Sequence, residues 1–191
     1  MWQAWGATLR HVRTGGPKGN ERLTATAAVV VLLLLALEGA TILFIRPLLS
    51  LHMFVGVMLI PPLVVKLGST GYRFARYYTG DPAYRGKGPP WLFMRLIAPA
   101  LLAATTAVIG SGVYLLATGQ RAGIWIGVHK TSFVVWLALA SVHVVVYVWR
   151  LPSLVLDRRV PGFALRVGLV AVAVVAGLWI ADETALHDRF T

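Results

Sequence analysis

The chain has 191 residues, 58% of them hydrophobic and 13% charged, with a formal net charge of +11 and no cysteine. A soluble domain is about 45–50% apolar and about 25% charged, so this balance excludes an ordinary soluble domain. Without cysteine there is no disulfide, thiolate metal site, iron–sulfur cluster or thiol nucleophile.

Residues 1–22 form a basic arm with Arg10, His11, Arg13, Lys18 and Arg22. A secretory signal also begins this way. The following run, AAVVVLLLLALEGA, is too long for a cleaved core and more spans follow, so it reads as a retained first helix. A hydrocarbon core of about 30 Å takes about 20 apolar residues as helix. Five segments meet that length: 23–45, 48–67, 96–116, 124–149 and 163–181. Irregular backbone cannot face lipid, and the apolar runs are too continuous for a barrel. The expected class is therefore an all-α integral membrane protein with five transmembrane helices.

Between the second and third segments lies GSTGYRFARYYTGDPAYRGKGPPW (68–91), expected as a loop in the headgroup layer and a candidate docking surface for a cytoplasmic partner. Lys and Arg concentrate in the N-terminal arm, in this loop, and in the linker with Arg150, Arg158 and Arg159. All three fall on one side if every span crosses. Such blocks between apolar runs orient a membrane protein and are not a nucleic-acid footprint. The expectation is an inner or plasma membrane protein in contact with lipid, with its N-terminus in the cytoplasm and its C-terminus outside. Its parts are a cytoplasmic arm (1–22), a four-helix bundle (23–150), and a fifth helix with a short outer tail (151–191). Pro61 and Pro62 are expected to kink the inner half of the second span.

His11 and His187 lie in polar ends and read as solvated. His52, His129 and His143 lie inside spans, where ionisable groups are costly and functional by default. Spans two and four both enter from the outer side, so His52 and His129 fall at one depth. His143 lies 14 residues beyond His129, about 21 Å deeper and about 40° off the same face. The position 14 residues beyond His52 is Lys66. The chain thus presents one imidazole pair and one further imidazole facing a lysine.

Two imidazoles from facing helices suit the axial positions of a haem iron, whose macrocycle is apolar enough for a bundle interior. A bare zinc or copper site takes three or four ligands, and only Glu38 is near enough to join one. Gly39, Gly56, Gly110 and Gly112 fall near the level of the pair and leave room for a ring edge. Lys130, beside His129, is the favoured partner for an acidic propionate, ahead of Arg46 and Arg121. Glu38, in the first span, reads either as a proton acceptor beside a quinol site or as a neutral carboxyl bonded to a neighbouring helix. The competing reading of the histidines is ordinary hydrogen bonding between helices.

On these residues the chain resembles the membrane cytochrome b families, the four-helix haem bundles of respiratory cytochrome b and related prokaryotic b-type cytochromes. In those families two histidines spaced by 14 on each of two helices hold two stacked b haems. His129 and His143 keep that spacing; His52 keeps half of it and Lys66 departs from it. The resemblance covers residues 23–150. It implies a haem b held by His52 and His129, and an inner site that either holds a second haem, five-coordinate on His143, or is empty; the expected kink at Pro61–Pro62 is one way to close it.

The expected function is transfer of single electrons, between the quinone pool and a partner redox subunit. No catalytic triad or nucleotide motif is present, and GGPKGN (15–20) lacks the strand–helix setting of a phosphate loop. Two rivals differ in class. One is a redox enzyme reducing a metal ion or oxidising a quinol beside an exposed haem edge. The other is a haem-free transporter or assembly factor using the intramembrane His and Glu side chains, with a broken helix near the midplane.

Overall fold

A computed structural model describes residues 15–88, 91–156 and 159–190, the last six of these by backbone only. His11, Arg10, Arg13, Arg158 and the His187 side chain, all weighed above, lie outside the described parts. The described residues are helical: α1 (Gly16–Leu43), α2 (Ile45–Tyr78), α3 (Pro82–Arg85), α4 (Leu92–Thr118) and α5 (Ile124–Tyr147). A 3-10 turn (Val148–Arg150) leads into α6 (Leu151–Leu156), and α7 (Phe163–Phe190) follows. Five helical stretches are long and apolar enough to cross a membrane: α1, α2, α4, α5 with its continuation to Leu156, and α7 as far as Thr184.

The helix ends follow their residues. Gly15 caps α1 at φ 75°, with Pro17 in the first turn, where a missing N–H costs nothing. A side chain on Gly15 would also meet Val160 at 2.5 Å. α4 ends on left-handed Gly119. A single residue, Phe44, joins α1 to α2, so the two run back along each other. At the far end of that pair the Asn20 amide donates to the Ser69 carbonyl at 2.8 Å, and the Thr24 and Ser69 hydroxyls lie 2.8 Å apart.

α2 is the central helix. It packs between α1 and α7 and touches α4; α5 packs chiefly on α4. The fifth span, set apart in the sequence, thus joins the same packed group as the first two. Pro62 is fully buried, and lacking an N–H it leaves the Met58 carbonyl without its helical donor. Gly177 of α7 sits against that carbonyl so closely that a Cβ there would lie 2.4 Å from the oxygen. Close Cα–H···O approaches of this kind recur at helix interfaces.

Three expectations change. α1 begins at Gly16, so the end of the basic arm is helix. α2 runs on to Tyr78 through GSTGYRFARYY, which was expected as loop. Nothing in that stretch forbids helix, and Ser69, Thr70 and Thr79 bond back to carbonyls a turn earlier. At Pro61–Pro62 the dihedrals stay helical. The interior residue of α2 with non-helical dihedrals is Leu48 (φ −108°, ψ 15°), so the inner site is not closed by a break in the helix.

The remaining connection is ordered around Asp81. Its side chain caps α3 through the Ala83 amide at 2.9 Å and pairs with Arg76. Desolvation works to raise the Asp81 carboxyl, but these bonds outweigh it and hold it below its ordinary value. Tyr84 is buried edge-on to Tyr72, 6.0 Å between ring centres. Burial, and then the neighbouring Tyr72 and Asp81, push its phenol up to about 12. Lys87 pairs with Glu21, tying this connection to α1.

Candidate functional site

His52 is the eighth residue of α2 and His129 the sixth of α5, so both lie near the same end of the bundle. The tight turn at Phe44 brings the last turns of α1 beside His52. Its Nδ1 lies 3.0 Å from Glu38 Oε1 and 3.0 Å from Thr41 Oγ1. The Thr41 hydroxyl is buried and donates to the Glu38 carbonyl at 2.6 Å, so a lone pair is left for the imidazole. Gly56, one turn beyond His52, leaves room for the carboxyl: a Cβ there would lie 3.3 Å from Glu38 Oε1.

His129 is seated by α4. Its Nδ1 lies 3.0 Å from the Val108 carbonyl and 3.1 Å from Ser111 Oγ. A carbonyl only accepts, so Nδ1 carries the proton and Nε2 keeps its lone pair. Ser111 donates to the Ala107 carbonyl at 2.6 Å, which leaves its oxygen free to accept from the same N–H. Gly112 lets the ring sit against α4; a Cβ there would lie 3.1 Å from His129 Cε1. Deeper in the same pair of helices, Trp136 Nε1 donates to Thr105 Oγ1 at 3.1 Å.

The two rings meet. Their centres are 6.3 Å apart and their planes 80° from each other. Each Nδ1 is turned to its own helical partner, and no hydrogen bond reaches either Nε2 among the described residues. The helices that carry them are not packed along each other, so the approach is made by the rings. Glu38 Oε2 is buried with no hydrogen-bond partner. Among the described residues no three His, Asp or Glu side chains gather as a metal-binding group. What converges is a pair of nitrogen donors with a carboxyl behind one of them.

Other residues singled out in the sequence sit apart. Gly39 and Gly110 face open space, with nothing within 4 Å of a Cβ built on either. Lys130 is exposed. His143 is half-buried and tilted against Tyr147, 4.9 Å between ring centres; Lys66 is close enough to interact with it electrostatically. The sequence reading missed Thr41, Ser111 and the Val108 carbonyl. The signal for the first two was present: a hydroxyl three residues after Glu38, and another between Gly110 and Gly112. The third is backbone and has no signature. Comparison with family models, curated proteins and solved structures returned no match.

Proposed function

We propose that the protein is a membrane b-type cytochrome in which His52 and His129 would hold the iron of one haem. The observation that carries this reading is the separation of the rings. If both imidazoles held one iron, bonds of about 2.0 Å would leave their ring centres about 6 Å apart. The ring centres here are 6.3 Å apart. The second support is the proton on His129 Nδ1, which leaves Nε2 as a ligand and fixes the ring through its other nitrogen, as metal-bound histidines commonly are. With no cysteine in the chain, covalent attachment of the c type is excluded.

Bound there, a haem b supplies a reversible one-electron couple within the membrane. The chain's own contribution is to orient and hold. α1 fixes His52 through Glu38 and Thr41, α4 fixes His129 through Val108 and Ser111, and Gly56 and Gly112 keep those seats open. The first four spans act as the haem bundle. The distribution of Lys and Arg supports a cytoplasmic N-terminus in the inner or plasma membrane, with the histidine pair toward the outer face. From that position the bound haem would carry electrons between the quinone pool and a partner redox subunit. His143, facing Lys66, lacks a second imidazole and is not assigned a haem of its own.

The test is the visible spectrum of protein purified after haem-replete expression. A Soret band lost in both His52→Ala and His129→Ala and kept in His143→Ala is expected, with one haem per chain by pyridine haemochrome. A colourless protein would favour the haem-free transporter or assembly factor and sink this reading.

A further inference from the structure

The two imidazoles do not have equivalent partners. His129 Nδ1 meets a neutral backbone carbonyl, whereas His52 Nδ1 meets the carboxyl of Glu38 at 3.0 Å. We propose that Glu38 is a positioning residue that sets the reduction potential of the haem, acting through His52. This rests on the bis-histidine reading above.

Four observations converge on Glu38. It reaches His52 from the adjoining helix, held by the one-residue turn at Phe44. Gly56 makes the space its Oε1 occupies, since any larger residue would press on that oxygen at 3.3 Å or less. Thr41 bonds to the Glu38 backbone and stands 3.0 Å from the same Nδ1, which fixes the ring and the carboxyl relative to each other. Finally, no lysine or arginine pairs with Glu38 among the described residues, and Oε2 is buried without a partner. The imidazole Nδ1 is therefore the group toward which Glu38 Oε1 is directed.

A carboxylate accepting the far N–H of a ligating histidine makes the ligand a stronger donor. Stronger donation favours ferric over ferrous iron, so Glu38 lowers the potential. A neutral carbonyl does this less, which leaves His52 as the more electron-rich ligand. Gln at position 38 would keep an oxygen for the N–H while removing the acidic group.

The experiment is a spectroelectrochemical titration of wild-type and Glu38→Gln holoprotein in detergent at one fixed pH. Both are expected to bind haem with the same low-spin spectrum, the variant with a more positive midpoint. Thr41→Val should shift it less. A Glu38→Gln protein that holds haem at the wild-type midpoint overturns the inference and leaves the ligand assignment standing. If Glu38→Gln loses its haem, the redox-difference infrared spectrum of the wild type decides. A carboxylate stretching band that moves on reduction is expected, and its absence overturns the inference. Wild-type protein without a Soret band overturns the ligand assignment, and this inference with it.

Discussion

His129 has a carbonyl and a hydroxyl to receive its Nδ1 proton, both supplied by one turn of α4. That turn is shaped by its smallest residue. A methyl group on Gly112 would meet His129 Cε1 at 3.1 Å, while one on Gly110 would meet nothing within 4 Å. Gly112→Ala should therefore push the ring off its seat, at an overpacking cost of about 1–3 kcal/mol, and, on the function proposed above, lower the haem retained through purification. Gly110→Ala should retain haem like the wild type. The two glycines are two residues apart and look alike in the sequence; only their places around the helix separate them. The histidines were legible because an imidazole inside an apolar run is rare and costly. Thr41 and Ser111 were not, because a hydroxyl in a membrane helix can bond back to its own turn and need no other partner, as Thr106 does to Leu102.

At the scale of elements, the five spans were readable from their apolar length, and their ends were not. Hydropathy falls at Gly68, but the helix continues to Tyr78, because Tyr, Arg and Ala hold helix as well outside the hydrocarbon as inside it. The proline pair stays within the helix for a related reason. A proline penalty is set by what happens to the freed carbonyl, and at Met58 that place is taken by Gly177 from a helix more than a hundred residues later. Gly177→Ala would set a methyl 2.4 Å from a backbone oxygen that cannot swing aside. It should part α7 from α2 and lower thermal stability in detergent by about 1–3 kcal/mol or more. The connection after α2 makes a separate prediction. The fold favours the neutral Tyr84 phenol, so its contribution to stability is whole below pH 10 and is lost as pH rises through about 12. In an ultraviolet titration of the six tyrosines, a late component near pH 12 should vanish in Tyr84→Phe.

At the scale of the molecule, α1, α2 and α7 form one packed group and α4 with α5 another, joined where α6 packs on α1, where α2 touches α4 and where the two imidazoles meet. Depth counted along the sequence was enough to bring His52 and His129 to one level, because straight helices convert residue number into height. It gave no account of which helix would stand behind each ring, since side-by-side order in a bundle is decided by packing. The one-residue turn at Phe44 has a consequence for how the protein is made. Every hydrogen bond that orients His52 is closed within residues 38–52, and every one that orients His129 within residues 108–129. A chain leaving the ribosome N-terminus first has its first imidazole aimed as soon as one hairpin has entered the bilayer, and its second aimed by another hairpin that needs nothing from the first. Bringing the two imidazoles together then takes only the lateral meeting of two hairpins, and α7, the last helix made, packs onto the first of them.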